Sequence, residues 1–204
     1  MSYKIGIIGS GNIGRGLALH LSKTNYKVLL ANTRGPESLE ELVSSIGGSL
    51  KAGELKETIQ QSDIIFIAAP WISLENLAKE FAGYDGKIIV DATNNIVSVS
   101  PFRLADVDNK STGEFVSALF PAQKVVKAFN TLSAATLAQP TKSTAGKTVI
   151  VISGNDTEAK NQVSIITEAM GFAPMDIGNF REAGKLQDVG GALSGIELIK
   201  VKKV

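Results

Sequence analysis

The sequence predicts a doubly wound α/β fold around a mostly parallel sheet. Strand-like and helix-like segments alternate along the whole chain, and this alternation implies right-handed crossovers between parallel strands. The run at residues 64–69 is continuously apolar, which is typical of a strand buried on both faces of such a sheet. A glycine-rich turn separates the first strand from the first helix. Together these observations indicate an open sheet with helices on both faces.

The individual elements follow from short apolar runs and from the helical spacing of apolar residues. Strands are predicted at residues 4–9, 27–31, 64–69, 88–91, 125–129, 148–152 and 172–176, the last at an edge of the sheet. Helices are predicted at residues 13–21, 36–46 and 74–81. A further helix follows the strand at 148–152, with Asn155 as its N-cap, Glu158 three residues later and Gly171 at its end.

Two segments leave the prediction open. In residues 181–200 apolar side chains recur at helical spacing, yet Gly190, Gly191 and Gly195 interrupt them. These glycines indicate either close approach to another backbone or a ligand, or a broken helix. Residues 94–111 form the longest irregular stretch, and we expect this loop to frame a site, as long loops in such folds often do.

Length and composition exclude several classes of function. The chain has 204 residues and no internal repeat or low-complexity linker, so we expect one domain over residues 1–204. Its formal net charge of +1 gives no reason to expect a nucleic-acid partner. It has no cysteine and one histidine, His20, which excludes thiol chemistry, disulfides and any multi-histidine metal centre within one chain.

The N-terminal sequence does not match a secretory signal. The longest wholly apolar run covers residues 64–72, whereas a helix needs about 20 apolar residues to span a bilayer. We therefore expect a cytoplasmic protein without a membrane partner.

The glycine-rich turn has the spacing of a dinucleotide-binding loop. Its six residues follow a strand and open a helix, and they are Gly9, Ser10, Gly11, Asn12, Ile13 and Gly14. In this pattern Gly9 permits the tight turn, Gly11 lets a pyrophosphate approach the backbone, and Gly14 lets the helix pack against the strand. The helix start offers N–H groups and a partial positive charge to phosphates. A turn that binds nothing is the alternative, and the strand–turn–helix context favours dinucleotide binding.

The end of the second strand predicts which dinucleotide binds. An NAD-binding unit usually has Asp or Glu here to accept hydrogen bonds from the ribose hydroxyls. This chain has Asn32, Thr33 and Arg34 instead, and its first acidic residue is Glu37 in the next helix. Uncharged donors and a guanidinium favour a 2′-phosphate, which a carboxylate would repel. We therefore predict NADP rather than NAD, with a solvated loop arginine as the alternative.

Polar residues also follow the later strands, at the edge of the sheet where ligands bind in open α/β folds. They come after three strands and are Pro70 and Trp71, then Thr93, Asn94 and Asn95, then Asn130 and Thr131. Because three clusters meet at one edge, we expect them to line the nicotinamide half of the site. For Trp71, the only tryptophan, core packing is an equally good explanation.

No side chain is expected to act as a catalytic acid or base, and none as a metal ligand. His20 falls on the first helix beyond the glycine loop, and Lys127 lies inside a strand. Dehydrogenases of alcohols and hydroxy acids need a group that moves the hydroxyl proton, and no such group is evident at the predicted edge of the sheet.

Seven segments, spread in order over nearly the whole chain, carry a family signature. They read KIGIIGSGNIG, ANTRGPESL, AAPW, KIIVDATN, VVKAFNT, VISGNDTEAK and MGFAPMDIG. In these segments the chain resembles the NADPH-dependent coenzyme F-420 reductases and their dinucleotide-binding relatives. VVKAFNT and NTRGPESL are far more specific than the glycine fingerprint alone. The ferric reductase domains of certain membrane metalloreductases resemble the chain more distantly.

The resemblance implies a Rossmann-like domain with additional C-terminal strands and a C-terminal helix, paired as a homodimer. The residues it carries over along a bound dinucleotide are Ser10, Asn12, Ile13, Thr33, Arg34, Ala69, Pro70, Trp71, Asn94 and Asn130. In the family, the counterparts of Ser10, Asn12 and Ile13 line the phosphate loop. Those of Thr33 and Arg34 hold the 2′-phosphate, and those of Asn94 and Asn130 lie near the nicotinamide. The chain has Asn95 where the family often has proline.

The activity that the resemblance implies is hydride transfer between NADP(H) and the deazaflavin coenzyme F-420. We therefore expect an NADP-dependent oxidoreductase with a flavin-like small molecule as its acceptor. The missing acid–base group agrees with this chemistry, because two bound redox rings need mainly to be held at reactive distance. The alternatives are a reductase of ordinary flavin, quinone or ferric chelate, and a non-enzymatic NADPH sensor. The apolar face and glycines of residues 181–200 agree with a homodimer, with packing onto the chain's own sheet as the alternative.

Overall fold

The computed structural model describes residues 3–139, 141 and 146–201. Its strands are β1 (Lys4–Ile8), β2 (Lys27–Ala31), β3 (Leu50–Ala52), β4 (Ile64–Ile67), β5 (Ile88–Asp91), β6 (Ile96–Val99), β7 (Phe102–Leu104), β8 (Lys124–Ala128), β9 (Gly146–Gly154), β10 (Ala173–Asp176) and β11 (Ile199–Val201). Its helices are α1 (Asn12–Leu21), α2 (Glu40–Ile46), α3 (Leu55–Gln61), α4 (Leu74–Glu80), α5 (Thr112–Leu119), α6 (Ala134–Leu137), α7 (Thr157–Ala169) and α8 (Phe180–Ala183). Within the described ranges, no helix has the length and apolarity needed to cross a membrane.

The main sheet of the described chain runs in the order β10-β9-β8-β5-β4-β1-β2-β3, with β11 paired to β9. All pairs are parallel except β8–β9 and β9–β11, so the predicted mostly parallel α/β fold is confirmed. The chain leaves β1 for β2 on one side and returns to β4 on the other. Ligands of open α/β sheets bind at such a reversal of strand order, outside the carboxyl ends of the strands.

The central strands are buried on both faces. Along β4, Phe66 packs in the apolar layer that contains Leu17 of α1, whereas Ile65 packs in the opposite layer with Leu74 of α4. Successive side chains of a strand point to opposite faces, and helices cover both faces here. Burial on both faces explains why residues 64–69 are continuously apolar.

A buried ion pair ties β5 to β8 at their carboxyl ends. Lys127 Nζ lies 2.8 Å from Asp91 Oδ2, and neither side chain is exposed to solvent. Lys127 Nζ also donates to the Thr93 carbonyl oxygen at 2.8 Å, and Asp91 Oδ1 accepts from the N–H and the hydroxyl of Thr93. A buried ion pair offsets its desolvation only when such hydrogen bonds complete it. This network holds the strand ends from which Asn94 and Asn130 emerge.

Residues 49–63 contain a strand and a helix that were not predicted. The three-residue β3 forms the edge of the sheet beyond β2. The helix α3 buries Thr58 and Ile59. Elements this short contain too few apolar positions to produce a periodic signal.

The prediction of an irregular loop at residues 94–111 was wrong, because this stretch contains an antiparallel hairpin of β6 and β7. Asn95 closes the base of the hairpin: its Nδ2 donates to the Ala105 carbonyl oxygen at 2.9 Å, and the Ala105 N–H donates to the Asn95 carbonyl oxygen at 2.7 Å. The strands are only four and three residues long and neither has a buried residue, so they are too short to produce a periodic signal.

The N-cap of α7 is Asp156, and the prediction of Asn155 was wrong by one position. Asp156 Oδ1 accepts from the Ala159 N–H at 2.8 Å. Asn155 Oδ1 instead accepts from the Phe180 N–H at 3.1 Å, at the start of α8. Both residue types are good N-caps, so only the backbone geometry distinguishes them.

The C-terminal segment is a broken helix, one of the alternatives that the sequence left open. The four-residue α8 runs into a 3₁₀ turn at Gly184–Leu186, and no helix follows before β11 in the described chain. The Gly195 N–H donates to the Thr131 carbonyl oxygen at 2.9 Å, and a side chain at Gly191 would collide with the Lys185 carbonyl oxygen. Gly191 therefore serves close approach within this chain, whereas Gly190 and Gly195 have space for a side chain and adopt positive φ angles of 87° and 73°. The additional C-terminal strand and helix are present, and the homodimer stays a prediction.

His20 is a core residue at the contact of α1 with α6. It is buried, and its Nε2–H donates to the Leu137 carbonyl oxygen at 2.7 Å. Burial lowers the pKa of His20, the hydrogen bond to Leu137 acts in the opposite direction, and Lys23 adds a smaller lowering effect. The neutral ring is therefore the form that the fold accommodates.

We predict that the free energy of unfolding falls as the pH is lowered through about 6.5, the ordinary pKa of histidine. Below that pH the unfolded chain takes up a proton on His20 that the folded chain binds less tightly, so the stabilisation present at higher pH is lost. Urea unfolding between pH 5.5 and 7.5, followed by Trp71 fluorescence, measures this slope. Because the chain has one histidine, His20→Gln should remove most of it. An unchanged slope in that variant would contradict the assignment.

Candidate functional site

The glycine loop brings α1 into direct contact with the end of β1. Gly9 has a φ of 113°, which residues with a side chain rarely adopt, and a Cβ there would collide with the Ala68 carbonyl oxygen after β4. A Cβ at Gly14 would collide with the Gly9 carbonyl oxygen. Neither position has room for a side chain, so α1 packs against the backbone of the turn itself.

Gly11, in contrast, faces open space. A Cβ built on Gly11 meets no atom within 4 Å, although its backbone has the ordinary extended conformation of an N-cap. Within the described chain, α1 has no side-chain cap and no acidic residue in its first turn. The first N–H groups of the helix therefore lack intrahelical partners at the positive end of the helix dipole. This arrangement fits a phosphate or pyrophosphate group.

Asn32 links the end of β2 to the glycine loop. Its Nδ2 donates to the hydroxyl oxygens of Ser10 and Ser38, each at 3.0 Å. Its Oδ1 accepts from the Arg34 N–H at 2.8 Å. The side chain of Asn32 is thus fixed, and it holds the turn after β2 next to the turn after β1.

Two arginines flank Ser10. Arg34 Nη2 lies 3.5 Å from the Ser10 hydroxyl oxygen, and Arg15 Nε donates to the Ser10 carbonyl oxygen at 3.2 Å. Both arginines and Thr33 are exposed, so their side chains are free to contact an anion. Sequence reasoning missed Arg15, and its position four residues after Gly11, on the first turn of α1, is the signal that identifies it.

Ala69, Pro70 and Trp71 follow β4, which lies between β1 and β5 in the sheet. Ala69 is half-buried and Pro70 is exposed. The Trp71 ring is buried, with its centroid 5.3 Å from that of Phe115. The geometry therefore favours core packing for the indole, one of the two alternatives that the sequence left open, while the backbone of this segment stays at the sheet edge.

Asn94 and Asn130 are bonded to each other after β5 and β8. Asn130 Nδ2 donates to Asn94 Oδ1 at 3.1 Å, and Asn94 Nδ2 donates to the Asn130 carbonyl oxygen at 3.1 Å. Phe129, just before Asn130, has a φ of 65°, an outlier for a bulky residue. Its ring is buried against Phe66 and Phe172, which holds this conformation. Backbone strain of this kind concentrates at functional sites.

Sequence reasoning also missed Gln187, which joins these asparagines from the C-terminal segment. Gln187 Nε2 donates to Asn130 Oδ1 at 2.9 Å, and Asn130 Nδ2 donates to the Gln187 carbonyl oxygen at 2.7 Å. The two residues are 57 positions apart in the chain, so no local pattern identifies the contact.

The structure gathers the predicted residues into two clusters along one edge of the sheet. Ser10, Asn32 and Arg34 lie at the ends of β1 and β2, and Asn94 and Asn130 lie at the ends of β5 and β8. Neighbouring strands are about 4.8 Å apart and the clusters lie two to four strands apart, so they are separated by about 10–19 Å. Such a spacing suits an elongated ligand with a phosphorylated end and an amide-binding end.

Comparison with known proteins adds an independent finding. The family model described as "NADP oxidoreductase coenzyme F420-dependent" matches residues 4–95. Among solved structures, the hypothetical protein SMa0349 of Sinorhizobium meliloti is 38% identical, with a TM-score of 0.91 over 98% of this chain and 96% of that one. A protein proposed to be an F420-dependent NADP-reductase from Arthrobacter sp. FB24 is 24% identical, with a TM-score of 0.76 over 98% of this chain and 100% of that one.

Among curated proteins, the chain is similar to the metalloreductase STEAP3 of Rattus norvegicus. The two are 33% identical over 189 residues, which are 91% of this chain and 36% of the metalloreductase. The metalloreductase STEAP2 of Mus musculus is 26% identical over the same share of this chain and 35% of its own length. The chain thus spans about a third of the length of these curated relatives.

We predict that Gly11→Val leaves the fold intact and abolishes NADPH binding, because a branched side chain would fill the open space where a phosphate meets the backbone. The matched variant Gly14→Val should instead lower the thermal unfolding temperature strongly, because its side chain collides with Gly9. Thermal unfolding and calorimetric titration with NADPH separate the two effects. Undiminished NADPH binding by folded Gly11→Val would refute the role given to the loop.

Proposed function

We propose that this chain, which belongs to the family of coenzyme F420-dependent NADP oxidoreductases, transfers hydride between NADP(H) and a flavin-like acceptor. The deazaflavin coenzyme F420 is the first candidate for that acceptor. The observation that carries the proposal is the group of Ser10, Asn32 and Arg34 beside the open glycine loop. This group offers donors and positive charge where an NAD-binding unit has a carboxylate.

The residues at this edge fit the two charged parts of NADP. The N–H groups at the start of α1 and the open space at Gly11 suit the pyrophosphate. Arg34 suits a 2′-phosphate, because a guanidinium binds phosphate through a planar pair of N–H donors. Asn32 supports it by holding the turn after β2 against Ser10. The first acidic residue after β2 in the sequence is Glu37, so no carboxylate directly follows the strand to repel this phosphate.

The other cluster fits the nicotinamide end. Asn94 is half-buried at the sheet edge and is bonded to the buried Asn130. A primary amide has both a donor and an acceptor, and these match the carboxamide of a nicotinamide ring. We therefore infer that Asn94 orients the nicotinamide ring and that Asn130 holds the Asn94 side chain in place.

The mechanism requires orientation of the two reactants rather than proton transfer by a side chain. Lys127 has no exposed surface and is bonded to Asp91 and Thr93, and His20 is buried and bonded to Leu137. Neither residue can reach a reacting atom at the sheet edge. When bound, NADPH would supply a hydride, which carries two electrons and one proton, and the acceptor would take one further proton from solvent. The chain contributes by holding the dinucleotide in a fixed geometry.

Reduction of a ferric chelate is the second candidate, and the similarity to the rat metalloreductase favours it. Ferric iron accepts single electrons, whereas NADPH delivers a pair as hydride. A flavin can take up the pair and release single electrons, so this route also needs a flavin as the first acceptor. Both candidates therefore assign a flavin-like ring to the position next to the nicotinamide.

We predict that Arg34→Ala weakens NADPH binding by about 1.5–3 kcal/mol, the range of a charge-assisted hydrogen bond, and leaves NADH binding nearly unchanged. Calorimetric titration with both dinucleotides measures the difference. Arg15→Ala is the matched control, because it removes another arginine beside Ser10 and should weaken both dinucleotides equally. An equal loss of NADPH and NADH binding in Arg34→Ala would show that Arg34 does not contact the 2′-phosphate.

The direct test of function is anaerobic single-turnover oxidation of NADPH with one acceptor at a time. The acceptors are coenzyme F420, FMN, a soluble quinone, and ferric citrate with and without FMN. We expect oxidation with at least one flavin-like acceptor, none with ferric citrate alone, and none in Gly11→Val. Tight NADPH binding without oxidation by any acceptor would contradict an enzyme and favour an NADPH sensor. Fast oxidation by ferric citrate alone would contradict the requirement for a flavin.

A further inference from the structure

The amide side chains of Asn94, Asn130 and Gln187 form a chain of hydrogen bonds at the carboxyl edge of the sheet. Asn130 is its saturated centre: both of its N–H donors and its Oδ1 are used, by Asn94 on one side and Gln187 on the other. Reversing the Asn130 amide would place its N–H groups against the Gln187 N–H and its oxygen against two acceptors. The orientation of the Asn130 amide is therefore determined by its neighbours.

The residues at the two ends of this series of hydrogen bonds, Asn94 and Gln187, each retain hydrogen-bonding groups that the series does not use. Asn94 uses one N–H and accepts one hydrogen bond on Oδ1, and it is only half-buried. Gln187 is fully buried, and its Oε1 has no hydrogen-bond partner among the described residues. A buried carbonyl oxygen left without a donor costs about 1–3 kcal/mol. The fold thus keeps a costly group at 187, where an apolar side chain would avoid the cost.

Gln187 is itself held from several directions. Its backbone N–H donates to the Gly184 carbonyl oxygen at 3.2 Å. The next residue, Asp188, accepts from the Thr112 N–H at 3.0 Å and from the Thr112 hydroxyl at the start of α5. The Gln187 amide is therefore held against Asn130 by a backbone segment that is itself fixed, through Gly184 and through the contact of Asp188 with α5.

We propose that Gln187 is a positioning residue for the nicotinamide ring, acting through Asn130 to set the amide of Asn94. This inference rests on the proposed function, since it assumes a bound NADP. The fixed Asn94 amide offers one N–H donor and one acceptor site at the sheet edge, and a nicotinamide carboxamide has the complementary pair. Without the Gln187 side chain, Asn130 Oδ1 loses its donor, and the Asn130 amide is held only through Nδ2, by the backbone carbonyl of residue 187 and by Asn94. The Asn130 amide is then held less firmly, and with it the Asn94 amide that bonds to it.

The test compares two ligands on wild type and Gln187→Met, which keeps the length of the side chain and removes its amide. NADP⁺ contains the carboxamide, whereas 2′-phospho-ADP-ribose has the same phosphates and no nicotinamide. We expect the Kd of NADP⁺ to rise about 5- to 10-fold, the loss of one hydrogen bond, and the Kd of 2′-phospho-ADP-ribose to stay within about twofold of wild type. Isothermal titration calorimetry measures both.

Two further variants separate positioning from general loosening. Asp188→Ala frees the same segment from α5 without removing an Asn130 partner, so it should leave the ratio of the two Kd values unchanged. The double variant Gln187→Met/Asn94→Leu should bind NADP⁺ no more weakly than Asn94→Leu alone, because Gln187 acts through Asn94. If Gln187→Met does not fold, Gln187→Asn withdraws the amide by one methylene and should shift the ratio in the same direction.

The outcomes are distinct. Equal changes for the two ligands in Gln187→Met, or additive losses in the double variant, would overturn the positioning role while leaving NADP binding in place. Failure of wild type to bind either ligand would overturn the proposed function, and this inference with it.

Discussion

The close packing of α1 against the turn after β1 is the constraint on which the site depends. A side chain at Gly14 or Gly9 would collide with backbone carbonyl oxygens, so the helix can approach the sheet only where these positions are glycine. This approach directs the uncapped start of α1 towards the end of the sheet. Because most of the strands are parallel, the turns after β1, β2, β4, β5 and β8 all lie at that same edge, which is where ligands of open α/β sheets bind.

Much of this arrangement is predictable from local sequence, because the physical causes are local. The glycine spacing, the donor-rich end of β2 and the apolar runs of the central strands identify the fold and the phosphate-binding half of the site. The prediction fails where the causes are distant or weak. Gln187 meets Asn130 across 57 residues, and the hairpin strands β6 and β7 are too short for a periodic pattern and have no buried residue. At α7 the adjacent Asn155 and Asp156 are equally suitable caps, and only the backbone decides between them.

Polar groups buried under the edge hold the second half of the site in place through hydrogen bonds. The Asp91–Lys127 pair joins β5 to β8, and every bond it makes is to these strands or to Thr93. Just beyond it, Asn94 and Asn130 bond to each other. Replacing a buried ion pair by well-packed apolar residues is often neutral or stabilising by about 1–4 kcal/mol, so this network fixes geometry at a cost that a purely apolar core would avoid. A site that works by orientation alone requires such rigidity.

We propose that an NADP molecule lies across this edge with its phosphates at the glycine loop and its nicotinamide at the asparagines. A crystal structure of the chain with bound NADP⁺ tests it most directly. We expect the 2′-phosphate within hydrogen-bond distance of Arg34, the pyrophosphate on the N–H groups next to Gly11, and the carboxamide on Asn94. A dinucleotide that leaves its 2′-phosphate in solvent, or that binds with its phosphates away from Gly11, would contradict it.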